Sequence, residues 1–120
     1  MISHRRQRLV LAKILAWFMC YHKRISRYHP KSLSFEGMDY DRLGRLYDTE
    51  NPKRRIRGYE VVINTNMIAG GRYTDRDWKN VLLHELAHAC HDNTRRHGMS
   101  FRRNCRRLGV EREYRGRSLS

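Results

Sequence analysis

Apolar residues recur at helical spacing near the start of the chain, where Leu11, Ile14, Leu15 and Phe18 stand at i, i+3, i+4 and i+7. This spacing predicts an amphipathic helix from about residue 5 to about residue 27 that stops before Pro30, because a proline biases its predecessor away from helical geometry. The segment KSLSFEGM, 31–38, reads as a short strand closed by Gly37. RLGRLYD and IRGYEVVINTNMI read as two more, separated by the turn-prone TENPKRR, and Tyr59, Val61, Val62 and Ile63 mark the strongest strand. Past AGGRY, Thr74 is placed to cap a helix with Asp77 three residues on, and Asp75 and Asp77 suit the positive end of its dipole. That helix is expected to continue through WKNVLLHELAHACHD and to stop near Asn93. A final helix is expected from Ser100 to Leu108, with Gly109 just beyond it. The remainder, EREYRGRSLS at 111–120, reads as a basic mobile tail. The expected architecture is α+β: an N-terminal helix, a small three-stranded sheet of antiparallel type, a central helix and a following basic helix, in one domain over 1–110.

Composition narrows the function classes. A chain of 120 residues has room for one modest core, and 39% hydrophobic residues favour a folded domain over disorder. The net charge of +14 is unevenly spread. Residues 1–31 carry eight Lys/Arg and no acid, and residues 93–120 carry nine Arg and two Glu, whereas 32–92 hold nine basic and ten acidic residues. Two basic flanks around a neutral centre suit a polyanionic partner such as nucleic acid. Cys20, Cys90 and Cys105 include no CxxC pair, which fits a reducing compartment better than a disulfide scaffold or a four-cysteine zinc ribbon. HRRQR followed by LVLAKILAWFMC imitates a signal peptide, but Lys13 interrupts the run, no small-x-small site follows, and the run is too short to span a bilayer. The expected location is therefore the cytoplasm (at the nucleoid, if the chain is bacterial), with no membrane partner and a length that suits a phage-encoded product.

Chemistry concentrates in LLHELAHACHDNTRRHGMSF, 82–101, which holds four of the seven histidines. His84 and His88 are four residues apart, so on a helix both imidazoles share a face and can reach one metal ion. Glu85 lies one residue, roughly 100° of rotation, from His84, and can stand beside the metal instead of on it. This HExxH logic yields two zinc ligands and a general base from one helical turn. The alternative is a buried helix whose histidines are hydrogen-bonded core residues, although burying two histidines and a glutamate without purpose is costly. A catalytic zinc usually takes three protein ligands. His91 points the same way as His84 but lies about 10 Å along the axis. His97 is the better third ligand, since Asn93 and Thr94 can end the helix and Gly98 frees the backbone beyond it.

HELAH, a short spacer, then HGMSF and a helix resemble the SprT-like zinc metalloproteases, as does the upstream EVVINTNMI, with its strand and asparagine turn, and less specifically the LGR at 43–45. The resemblance spans roughly residues 5–110. It implies one Zn2+ per chain held by His84, His88 and His97, Glu85 as catalytic base, a compact zincin-like α+β domain, and cleavage of proteins on or near DNA, crosslinked proteins included. Many members carry a C-terminal zinc ribbon or partner-binding tails, so DNA targeting here falls to the domain's own surface.

SFRRNCRRLG offers such a surface. Phe101, Cys105 and Leu108 should face the core, leaving Arg102, Arg103, Arg106 and Arg107 on the other side, continued by Arg95 and Arg96. Arginine's planar fork suits phosphates, and backbone contacts with little sequence preference are expected of a monomeric enzyme acting on protein substrates near DNA. Candidates for stabilising transition-state charge are Tyr73, His91 and a nearby arginine. A HExxHxxGxxH pattern is excluded by His91 and Thr94, and a later glutamate ligand would have to be Glu111 or Glu113. Two other classes remain open: a zinc-dependent endoribonuclease with three histidines near one helix, and a non-enzymatic basic DNA- or RNA-binding protein.

Overall fold

The computed structural model describes residues 1–24, 31–38, 41–48, 58–89 and 98–115. Helix α1, His4–Tyr21, starts at Ser3, whose hydroxyl accepts from the Arg6 amide, and tightens into a 3-10 turn at His22–Arg24. Strands β1, Lys31–Glu36, β2, Gly44–Asp48, and β3, Tyr59–Asn64, lead into a short helix α2, Thr65–Gly70. Helix α3, Asp75–His88, and helix α4, Met99–Leu108, follow, with a 3-10 turn at Arg112–Tyr114 closing the described chain.

The α+β plan expected from the sequence is present, and several details differ. The sheet is mixed, not antiparallel throughout: its order is β1-β3-β2, with β1 parallel and β2 antiparallel to β3. The 22 residues between β1 and β3 contain β2, which forms the opposite edge and lets the chain re-enter the centre in the direction of β1. In addition, the strand expected to run to Ile68 ends at Asn64, which turns from strand residue to N-cap, its side chain accepting from the Asn66 amide, so TNMIAG forms α2. A short polar side chain that bonds two residues ahead competes with the sheet ladder in this way.

The core face of α1 is rotated from the expected one. Val10, Ile14 and Phe18 are buried, whereas Leu15 is 48% exposed, because Trp17 and Tyr21 on the other flank also pack inward. The helix ends at Tyr21, short of residue 27, where the His22 ring stacks on Phe18 and its Nδ1 contacts the Phe18 carbonyl. No helix among the described residues is long and apolar enough to cross a membrane. Helix α3 is the centre of the fold and touches α1, α4, β2 and β3. Val81, Leu82, Leu83, Leu86 and Ala87 are all buried, so this helix is apolar on nearly every side, as its sequence predicts. Helix α4 ends on Gly109 in the left-handed conformation (φ 80°), which favours glycine there.

Residues 111–115, which the sequence reading joined to a C-terminal tail, lie against α3. The Glu111 amide donates to Asn80 Oδ1 (2.8 Å), Asn80 Nδ2 donates to Glu111 Oε2 (2.6 Å), and the Tyr114 hydroxyl donates to Asp77 Oδ1 (2.5 Å). The physical reason is partner supply: α3 presents a row of polar groups one and two turns before its histidines, and this segment satisfies them. Residues 116–120 of the expected tail lie outside the described residues.

Candidate metal centre

Helix α3 begins with the capping box predicted for it. Thr74 Oγ1 accepts from the Asp77 amide (3.2 Å), and Asp77 Oδ2 accepts from the Thr74 amide (2.7 Å). From that fixed start the helix carries His84 and His88 onto one face, their ring centroids 5.0 Å apart and their planes at 70°. The two rings share a floor. Phe101 of α4, itself fully buried, stacks on His88 (4.3 Å, 23°) and meets His84 edge-on (5.0 Å, 68°). Asn104, one turn further along α4, donates to the Ala87 carbonyl (2.9 Å) and fixes the two helices in register.

His84 Nδ1 lies 2.7 Å from the Tyr114 carbonyl oxygen. A carbonyl only accepts, so Nδ1 carries the proton, and in the neutral imidazole Nε2 keeps its lone pair for another partner. His84 is thus a hydrogen-bonded buried residue whose tautomer is set at Nδ1.

Glu85 is 2% exposed, and no described residue gives its Oε1 a hydrogen bond. Burial pushes its carboxyl up to about 8, against a smaller opposing pull from Arg42 and Arg45. These arginines flank the start of β2, and a polar network holds their segment in place. The Asn64 amide donates to the Leu43 carbonyl (3.0 Å), Asn64 Nδ2 to the Arg42 carbonyl (2.8 Å), and the Met38 amide to Asn64 Oδ1 (3.0 Å). The asparagine turn that carried part of the sequence resemblance therefore positions the cations nearest in effect to Glu85.

Among the described residues, no group of three His, Cys, Asp or Glu side chains is placed to hold a metal ion. His97, His91, Arg95 and Arg96 lie outside the described residues. Helix α3 stops at His88, with Ala89 already out of helical geometry (φ −85°, ψ 69°), so it does not extend to Asn93. What is described fits a zinc ion chemically: two imidazoles on one helical turn, one of them fixed with Nδ1 protonated and Nε2 deprotonated, and on the same turn a buried glutamate whose Oε1 no described residue bonds.

Of the other candidates, Tyr73 packs edge-on against Trp78 near the start of α3 (5.8 Å, 72°), and it is Arg42 and Arg45 whose charge acts on Glu85. Arg102, Arg103, Arg106 and Arg107 are exposed as expected, on the side of α4 opposite the buried Phe101, Cys105 and Leu108. No described carboxylate forms an ion pair with any of the four. Cys20 and Cys105 are free thiols. Three features escaped sequence reasoning. The Tyr114 carbonyl carried no signal, because a backbone acceptor has no side-chain signature. The spacing that places Phe101 in the core carries no sign of its contact with the two imidazole rings, and no local pattern connects the arginines at the start of β2 with Glu85.

No curated protein and no solved structure matches this chain. The model of the SprT-like family does match, over residues 14–118, a span that begins within α1 and takes in the sheet, the histidine helix and the docked C-terminal turn. The chain belongs to the SprT-like family, a family associated with metallopeptidase activity.

Proposed function

We propose that this protein is a zinc metallopeptidase in which His84, His88 and His97 hold the metal and Glu85 is the general base, and that its arginine ridge brings it to proteins on DNA. The observation that carries the reading is the buried Oε1 of Glu85, which no described residue bonds, on the same helical turn as two imidazoles. A polar atom left without a partner in a closely packed interior costs about 1–3 kcal/mol, a cost expected where the atom serves a ligand or a reaction. A bound zinc ion supplies Lewis-acid polarisation of water and of the scissile carbonyl, and its charge favours the ionised form of the neighbouring carboxyl.

The chain's own residues account for the remaining requirements. Glu85 removes a proton from water as the water oxygen bonds to the carbonyl carbon, and returns it to the amine nitrogen as the C–N bond breaks. Phe101 and the surrounding apolar side chains exclude bulk water from the histidine face. Arg42 and Arg45 place positive charge where it also favours ionised Glu85. The exposed Arg102, Arg103, Arg106 and Arg107 suit phosphate contacts, which confer affinity without sequence preference.

The test combines zinc content with cleavage. About one zinc per chain is expected in the wild type, with the metal lost in His84→Ala and His97→Ala. Glu85→Gln should keep the metal and lose at least about a hundredfold in cleavage of an unfolded protein substrate. Replacing the four α4 arginines by alanine should weaken DNA binding and flatten its salt dependence. RNA cleavage that depends on His84, with protein left intact, would replace the peptidase by a ribonuclease.

A further inference from the structure

The segment beyond α4 plays no part in the chemistry above, yet it is bound more thoroughly than a surface turn requires. Glu111 and Asn80 exchange two hydrogen bonds, amide to Oδ1 (2.8 Å) and Nδ2 to Oε2 (2.6 Å). Asn80, 3% exposed, also donates to the Arg76 carbonyl (2.9 Å). Arg76 forms a two-pronged pair with Glu111 and reaches Glu113. The Tyr114 hydroxyl is bonded to Asp77, and Arg115 Nε donates to the Val110 carbonyl (2.8 Å), closing the turn on itself. Asp77, Asn80 and His84 stand at i, i+3 and i+7 on α3, one row on one face. The turn is laid along that row, and its last contact is the Tyr114 carbonyl on His84 Nδ1.

Given the metal-centre reading, on which this rests, we propose that Glu111–Tyr114 is a strap belonging to the metal centre: it presents the Tyr114 carbonyl to His84 so that Nδ1 is protonated and Nε2 faces the metal, and Asn80 is the positioning residue that holds the strap. A free imidazole exchanges its proton between both nitrogens and rotates about its side-chain bonds. A carbonyl at 2.7 Å suppresses both freedoms, since only the Nδ1–H tautomer in one ring orientation can donate to it. Asn80 suits the task because its amide both donates and accepts, and so grips the Glu111 side chain and backbone together. The strap's contacts reach 30 to 37 residues back along the chain to the helix row it grips, which makes the ligand's geometry depend on α4 and its following turn being folded.

The test uses the full chain and reads the ligand directly. Imidazole nitrogen-15 NMR of the metal-free protein reports the His84 tautomer, and competition with a chromophoric chelator reports Zn2+ affinity. The variants are Asn80→Ala, the milder Tyr114→Phe, and Ile14→Ala as a control that loosens the core at α1 while removing none of the strap's hydrogen bonds. Wild-type His84 is expected as the Nδ1–H tautomer. Asn80→Ala should show an Nε2–H population and bind zinc about tenfold to a hundredfold more weakly. Tyr114→Phe should move both readouts the same way by less, and Ile14→Ala should lower thermal stability while moving neither.

A merely structural strap gives the opposite result: Asn80→Ala less stable, but with the wild-type tautomer and zinc affinity, and this overturns the proposal. If Asn80→Ala does not fold, Tyr114→Phe decides by the same two readouts. A wild type that binds no zinc defeats the metal-centre reading instead, and the tautomer comparison then decides whether the strap orients His84. A zinc-binding wild type with unchanged variants defeats the strap alone.

Discussion

The two ends of α3 treat their polar residues in opposite ways. At the start, Thr74 and Asp77 satisfy each other, Asp75 is paired with Arg6 (2.8 Å) and Lys13 (2.5 Å), and Asn80 is saturated by Arg76 and Glu111. At the end, Glu85 is buried more deeply than any of these, and no described residue bonds its Oε1. The carboxyls respond accordingly. The Lys13 ammonium, bonded to Asp75, holds that carboxyl below its ordinary range despite an opposing effect of partial burial. Burial alone would raise Asp77, but the Tyr114 hydroxyl and the Thr74 amide and hydroxyl together hold it low. Glu85, with only the charge of two arginines to oppose desolvation, is pushed up to about 8. One helix thus carries paired acids that stabilise it and one acid whose Oε1 has no described partner, and the latter stands between the two histidines in sequence. Polar groups satisfied at one end, against a buried oxygen with no described partner at the other, separate what builds the fold from what the proposed chemistry would use.

The largest effect that would break this comparison comes from the floor of the histidine end. Phe101→Ala should destabilise the protein by about 3–5 kcal/mol, because it empties a fully buried site that both imidazole rings pack against, and chemical denaturation should detect the loss. A cost under about 1 kcal/mol would mean that the rings are not held by packing.

Next in size is the unpaired carboxyl itself. In metal-free protein the folded state binds the Glu85 proton more tightly than the unfolded chain, whose value is near the ordinary 4.5. Its contribution is therefore intact below pH 4.5 and is lost as pH rises to about 8. Glu85→Gln does not titrate, so the chelated variant should exceed the chelated wild type by a few kcal/mol, on the order of the linkage expected for such a shift, at pH 9 and by much less at pH 5. Parallel stability curves for the two proteins across that range would contradict the burial account.

The smallest effect belongs to the paired end. Asp75→Asn removes two half-exposed ion pairs and should cost no more than about 1 kcal/mol at neutral pH, shrinking further in high salt. Because the folded Asp75 carboxyl is lowered, the wild-type advantage is present above the unfolded value and fades as pH falls through the folded one. Thermal melts of both proteins at neutral and acid pH, with and without salt, sharpen the contrast with Glu85, whose dependence runs in the other direction.

Much of the candidate site was legible because its signals are local. The Thr74–Asp77 cap, the four-residue spacing of His84 and His88, and the inward Phe101, Cys105 and Leu108 against outward arginines on α4 all lie within a turn or two of helix, and each is found where the spacing places it. Legibility fell where contacts between distant segments decided the outcome. Leu15 fits the helical pattern of α1 yet is exposed, because Trp17 and Tyr21 drew the helix round toward the core. The direction of β1 relative to β3 depended on where β2 was placed. The segment at 111–115 reads as polar and basic, and only the waiting side chains of Asp77 and Asn80 give it a docked position.

Sequence alone determined that a helix carries HExxH, with a cap at its start and a basic amphipathic helix after it, because helical periodicity and capping are set by residues three and four apart. Tertiary structure decided that Glu85 is buried with no described partner for its Oε1, that Phe101 packs against both rings, and that a carbonyl 30 residues from His84 selects which of its nitrogens holds the proton. Burial and backbone acceptors are properties of the folded surroundings, and no spacing within one helix encodes them.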